Sequence, residues 1–181
     1  MNRFLLAPAR RSLGALTLAA LGLLPLAAAE RVRVPGTDLS IDLPVGFIAM
    51  PPDVVASKYA RTTTPPTQVY STPGPHWEVN IAFAMRDVRL PDGDLNPTRT
   101  ALEGPLKNVP GFRWVKHDVE TVAGREWIVL QFWVNGLDTP IYNDLRVTRQ
   151  GDKTLLVTAN VTKALYGPYA ARLGAAMQSL K

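Results

Sequence analysis

The chain has 181 residues, with 20 Lys and Arg, 15 Asp and Glu, 16 Pro and no Cys. This is one domain's worth of sequence, and an apolar fraction of 46% argues against global disorder. The lack of cysteine excludes disulfides, thiolate metal sites and a cysteine nucleophile.

The first segment reads as an export signal. Met1 to Arg11 is short and basic, Leu13 to Leu26 is rich in Leu and Ala without charge, and Ala27-Ala28-Ala29 supplies small residues at the spacing a signal peptidase requires. Cleavage after Ala29 leaves a mature domain of 152 residues, 30–181, with no lasting membrane anchor. The competing reading is a retained span, but the charge-free stretch Ser12–Ala29 is only 18 residues long and contains Pro25. Arg10-Arg11 leaves the choice between general secretion and the twin-arginine route open. Without Arg3, Arg10 and Arg11 the 20 basic residues become 17 against 15 acidic, a net of +2, which disfavours a nucleic-acid partner. The expected location is the periplasm, with secretion as the variant.

In the mature chain, Arg31–Val34 and Leu39–Leu43 alternate as half-buried strands do, with Pro35-Gly36 between them. Val54–Tyr70 has no sustained period, although Thr67–Ser71 suits a strand. Trp77–Val88 is a stronger strand, with Trp77, Val79, Ile81 and Phe83 on one side. Asn96-Pro97 suits an N-cap and first helical residue, and Gly104-Pro105 predicts a short helix.

Phe112–Thr162 predicts four strands joined by hairpins at Ala123-Gly124, at 135–138 and at Gln150-Gly151-Asp152. Closing them at Val122:Arg125, at Asn135:Asp138 and around the Gln-Gly-Asp loop pairs Trp114 with Trp133, Phe132 with Ile141 and Val147 with Leu155. One face then carries Val115, Val119, Ile128, Leu130, Phe132, Ile141, Leu145, Val147, Leu155, Val157, Ala159 and Val161 as core. A helix from Tyr166 to Lys181, with Pro168 in its first turn, presents Tyr169, Leu173, Ala176, Met177 and Leu180 to that face.

The mature chain resembles the PsbP-like group, which includes the photosystem II extrinsic protein and bacterial DcrB-like proteins. The resemblance lies in the Ile41-Asp42-Leu43-Pro44-Val45-Gly46-Phe47 opening, the middle helix, the Val122-Ala123-Gly124-Arg125 turn, the long meander and the closing helix ending Ala176-Met177-Gln178-Ser179-Leu180-Lys181. It implies an α+β fold: an antiparallel sheet of about six to seven strands flanked by helices, in an α/β/α sandwich. It implies an accessory, adaptor or assembly role rather than an enzyme, and no metal or chloride ligands of the photosystem protein map onto this chain. The group's effector chaperones work in the cytoplasm, which the leader argues against.

Chemistry-bearing motifs are sparse. His76 and His117 lie 41 residues apart without zinc spacing, and His117 reads as a partly buried or edge histidine. No serine-hydrolase elbow, phosphate-cradling loop or dinucleotide fingerprint is present, and Asp92-Gly93-Asp94 lacks the rest of a calcium loop. The expectation is no catalytic set, no metal and no cofactor. By the registers above, the second sheet face gathers Trp114, Trp127, Gln131, Trp133, Tyr142, Asp144, Arg146 and Asn160, with Arg146 opposite Trp127. That face is either covered core or a partly open groove for a protein partner or a small ligand. The alternative function is a periplasmic hydrolase using Asp144 with Tyr142 as acid–base groups. The oligomeric state is not legible.

Overall fold

The computed structural model describes residues 29–181; the expected signal segment lies outside them except for Ala29. The elements in chain order are β1 (Glu30–Arg33), β2 (Ser40–Leu43), β3 (Ile48–Ala49), α1 (Pro52–Lys58), β4 (Gln68–Ser71), β5 (Val79–Arg86), α2 (Asn96–Leu106), β6 (Arg113–Val122), β7 (Arg125–Asn135), β8 (Pro140–Gln150), β9 (Lys153–Thr162) and α3 (Lys163–Gln178). β1 and β2 form a two-stranded hairpin, and the other strands form one antiparallel sheet in the order β3-β4-β5-β9-β8-β7-β6. The expected α+β class and seven-stranded antiparallel sheet are therefore present. No helix among the described residues is long and apolar enough to cross a membrane.

Three local details differ from the sequence reading and change which residues share a face. In the β6–β7 hairpin the pairing runs as expected from Val122↔Arg125 to Lys116↔Gln131. A bulge between Trp114 and Lys116 then sets Trp114 opposite Phe132 instead of Trp133. Val115 is left 51% exposed, while Trp114 turns inward against Phe112 and Phe132, so the bulge buries the larger apolar group.

The β7–β8 loop has four residues, Gly136–Thr139, rather than two; the Gly136 amide donates to the Thr139 carbonyl at 2.9 Å, and Asn135 pairs with Pro140. The register moves by two, so the faces survive but the partners change, and Arg146 lies opposite Val129, not Trp127.

The β8–β9 loop has the larger effect. Gln150 pairs with Lys153 across a two-residue Gly151–Asp152 turn, with Gly151 at φ +60. A glycine with positive φ at the first central position is what a two-residue hairpin of this hand requires. The register moves by one, and a one-residue slip inverts the strand. Leu155, Val157, Ala159 and Val161 therefore join Trp127, Val129, Tyr142, Asp144 and Arg146, opposite the face expected for them.

α3 follows these residues onto that same face. Its stripe of Leu173, Ala176, Met177 and Leu180 is 0–3% exposed and packs with Val79, Ile81, Phe83 and Val157. The β1–β2 hairpin completes the cover with Ile41 and Leu43, and Ser40 and Lys181 exchange backbone hydrogen bonds of 2.7 and 3.1 Å. The helix starts at Lys163 rather than Tyr166, so Pro168 lies in its second turn. Across the sheet, α1 packs with Met50, Val69 and Ala82, and α2 with Leu130 and Phe132. α2 begins at Asn96 with Pro97 second, and Asp94 Oδ1 accepts the Asn96 amide at 3.0 Å, taking the capping role expected of Asn96. It runs on to Leu106 with Pro105 in its last turn, where the missing N–H costs one backbone bond.

Two outcomes are expected. Leu173→Asp places an unpaired carboxylate in the α3–sheet contact and lowers stability by several kcal/mol, seen as a large fall in the thermal midpoint. In the β6–β7 turn Ala123 holds φ +49 beside Gly124 at φ +78, a conformation that favours Asn-Gly. Ala123→Asn is expected to raise stability by about 1 kcal/mol, because the left-handed region costs an ordinary residue about that much; an unchanged or lower midpoint in denaturant contradicts this.

Candidate functional site

Of the eight candidate site residues, six share one face: Trp127, Gln131, Trp133, Tyr142, Asp144 and Arg146. That face is the covered one. Trp127 is 0% exposed, Arg146 1%, Asp144 2% and Tyr142 8%. Asp144 accepts from Gln131 Nε2 at 3.0 Å and from Arg146 Nε at 3.3 Å, so a carboxylate and a guanidinium are buried as a pair two residues apart on one strand. Such a pair is costly to desolvate and more costly to break. Burial pushes the Tyr142 phenol well above its usual range, helped by the Asp144 charge. Trp133, Tyr142 and Tyr166 close the outer end as an aromatic trio with centroids 4.9–5.6 Å apart. Arg146 does not lie opposite Trp127 as expected but beside Val129, and it is Arg113 that lies over an indole, 6.0 Å from Trp133.

The other two candidates, Trp114 and Asn160, lie on the opposite face, moved there by the bulge and by the one-residue slip. This face is the more open one. β8 and β9 are interior strands, yet Asn143, Leu145, Leu156, Thr158 and Asn160 are all half-buried while their alternating neighbours are sealed. The strip lies between the α1 cluster over β4–β5 and the α2 cluster over β7–β8. Register places Asn80, Asn160 and Asn143 side by side across β5, β9 and β8. Asn80 accepts from Tyr59 at 3.2 Å and from Asn160 at 3.3 Å, and donates to the Trp77 carbonyl at 3.3 Å. Burial pushes the Tyr59 phenol up to about 12. Asn160 Oδ1 is buried without a hydrogen-bond partner. Trp77 holds φ +49, which is strained for an aromatic residue, and lies outside the strand that was expected to begin there.

A second polar cluster joins α2 to β6. Glu103 is 5% exposed, and its Oε1 lies 2.9 Å from His117 Nδ1 and bonds Arg99, with Lys107 Nζ at 3.8 Å from Oε2. The His117 ring stacks on Trp114 at 4.6 Å. The sequence reading made His117 a partly buried or edge histidine, and it stands exposed on the edge strand; its partner was missed, because Glu103 was one carboxylate among many and only the three-dimensional fold sets it against β6. Among the described residues no group of three or more His, Cys, Asp or Glu side chains gathers as a metal site.

Burial raises the Glu103 carboxyl, but the His117 hydrogen bond and the charges of Arg99, His117 and Lys107 outweigh it and hold it below the ordinary value. A lowered folded-state value gives stability that is present above the unfolded carboxylate range and lost as pH falls through the folded value. Glu103→Gln is therefore expected to lower the thermal midpoint at neutral pH, with the gap to wild type closing as pH falls below the carboxylate range; a gap constant from pH 7 to pH 3 contradicts this.

No family model and no curated protein matches the sequence. Solved structures do match in shape. The solution structure of cyanobacterial PsbP (CyanoP) from Synechocystis sp. PCC 6803 is similar at a TM-score of 0.57 and 11% identity, covering 91% of this chain and 98% of that one. LpqN, involved in cell envelope biogenesis of Mycobacterium tuberculosis, is similar at 0.57 and 14%, covering 84% and 88%. PA94 of Pseudomonas aeruginosa, a protein of unknown function, is similar at 0.51 and 14%, covering 85% and 96%. The chain has the PsbP-like fold.

Proposed function

We propose that this chain is an exported, non-enzymatic accessory or ligand-binding protein of the bacterial envelope, and that it works through the half-open face of β8 and β9. The observation that carries this reading is the asymmetry of those two strands. Interior strands of a sandwich are normally covered on both sides. Here one side is sealed by α3 and the β1–β2 hairpin, and the other leaves Asn143, Thr158 and Asn160 half-buried. The leader read at residues 1–29 and the likeness in shape to an envelope-biogenesis protein support the compartment.

The hydrolase alternative draws on Asp144 and Tyr142. Their burial beneath α3 weighs against it, since acid–base groups must reach substrate at a concave surface. The raised Tyr142 phenol adds to this, because a general base needs its proton affinity near the working pH.

The test is made in cells. The periplasmic fraction should contain a 152-residue species beginning at Glu30, identified by intact mass. A photoreactive residue at Asn143 should form an adduct with an envelope component there, while one at exposed Asp152, remote from the strip, should not. A membrane-retained species carrying Arg10-Arg11, or equal labelling from both positions, opposes the proposal.

A further inference from the structure

We propose that β6, the outer edge of the seven-stranded sheet, pairs with β6 of a second copy of this chain, antiparallel and centred on His117, to form a symmetric dimer. This association does not depend on what the half-open face of β8 and β9 binds.

The edge is long and its outer side is unpaired. β6 has 10 residues and neighbours only β7. Val115, Lys116, His117 and Asp118 are exposed in succession, where a strand with one covered face alternates. The β6–β7 turn determines which backbone groups point outward. Val122 and Arg125 close a two-residue loop as a hydrogen-bonded pair, so Glu120, Asp118 and Lys116 bond β7, while Thr121, Val119 and His117 face out. The Val119 amide agrees with this count: it donates to Asp118 Oδ1 at 2.8 Å rather than to β7. No loop or turn among the described residues gives His117 or Thr121 a backbone partner.

The charges on this edge select a second copy and one register. Two antiparallel strands joined through outward groups set outward residues opposite one another, so a two-fold axis passes through a single residue position. Among positions 116–120, an axis through Lys116, Asp118 or Glu120 sets a charge against its own copy. An axis through Val119 sets Asp118 against Glu120 of the second copy. Only the axis through His117 has no like-charge pair: Lys116 lies opposite Asp118 of the second copy, and the symmetry repeats the pair. These residues then occupy the non-hydrogen-bonded positions, where facing side chains stand closest and opposite charges stabilise. The same axis brings Val115, 51% exposed, to Val119 of the second copy.

A lysine and a bulge are devices that keep sheet edges unpaired. Here the bulge between Trp114 and Lys116 lies at the end of the overlap 115–119 and leaves the rest of it regular. Lys116 repels a strand of arbitrary sequence but meets a carboxylate on its own copy. In the single chain Lys116 pairs with Glu120, and Asp118 caps the Val119 amide. Both contacts involve solvent-exposed groups, so exchanging them for contacts across the axis costs little. The overlap is short, which makes the dimer a weak one.

The experiment is sedimentation velocity on the mature protein, 30–181, from micromolar to millimolar concentration. Wild type is expected to pass from monomer to dimer over this range. Lys116→Asp and Asp118→Lys each set like charges opposite one another and are expected to weaken association at least tenfold, with thermal midpoints near wild type because both positions are exposed. Net charge moves in opposite directions in these two variants, so a general charge effect would part them, whereas the proposed pairing weakens both. The double variant carrying both substitutions restores the opposite-charge pairs in exchanged places and is expected to dimerise as wild type does. An equimolar mixture of the two single variants is expected to form the mixed dimer that neither forms alone. Four results would overturn the proposal: a wild type that stays monomeric at millimolar concentration, single variants that associate as wild type does, a double variant that does not regain association, or a mixture that stays monomeric. A chain that is monomeric alone but is cross-linked at Val115 to another envelope protein in cells overturns the second copy as the occupant of this edge.

Discussion

Side chains along a strand alternate between two faces, so the number of residues in the loop between β8 and β9 determines which half of β9 meets α3. Gly151 and Asp152 make that number two. Leu155, Val157, Ala159 and Val161 then lie with Val79, Ile81 and Phe83, and α3 and the β1–β2 hairpin have one continuous apolar surface to cover. The polar half of β9, Thr158 and Asn160, falls on the opposite side beside Asn80 and Asn143. One more residue in the turn would have sent the aliphatic residues to the α2 side and the amides beneath α3, where they could not be hydrated. The division of the molecule into a sealed face and a more open face follows from this single turn.

The sealed face contains an expense that burial alone does not explain. Asp144 and Arg146 lie beneath the cover together with Gln131, and Arg146 Nη1 and Trp127 Nε1 have no partner. An apolar pair of similar volume would often be as stable. A cross-strand bond such as Gln131 to Asp144, made only when β7 and β8 are in register, penalises slipped pairings more heavily than aliphatic contacts would. In a long meander with few distinctive positions, that penalty narrows the choice among registers two residues apart.

The fold was legible wherever the sequence had period and punctuation. The four long strands, the Val122:Arg125 closure and the stripe on α3 could be read because apolar spacing and turn residues agreed. The faces were less legible, since face assignment depends on loop lengths to the single residue. Gly151-Asp152 could be counted with Gln150 as a three-residue loop, and the bulge at Val115 has no composition signal of its own. These two errors moved Trp114 and Asn160 to the wrong side. The asparagine row was invisible in sequence because its members come from residues 80, 143 and 160, and only sheet order brings them together. His117 was visible as a residue, but its place was fixed by α2 lying over β6, which no local pattern encodes.

The central position of β9 bears on how the chain is made. β9 hydrogen-bonds both β5 and β8, and Lys181, three residues beyond the end of α3, exchanges backbone hydrogen bonds with Ser40 at the start of β2. A chain emerging from its N-terminus has both neighbours of the missing strand before it has the strand itself, so the sheet stays split into halves with open edges until β9 joins them. Contacts of such long sequence separation close slowly. The domain therefore cannot close strand by strand from one end: β9 and α3 act as a latch, and the sheet closes as one unit when they dock.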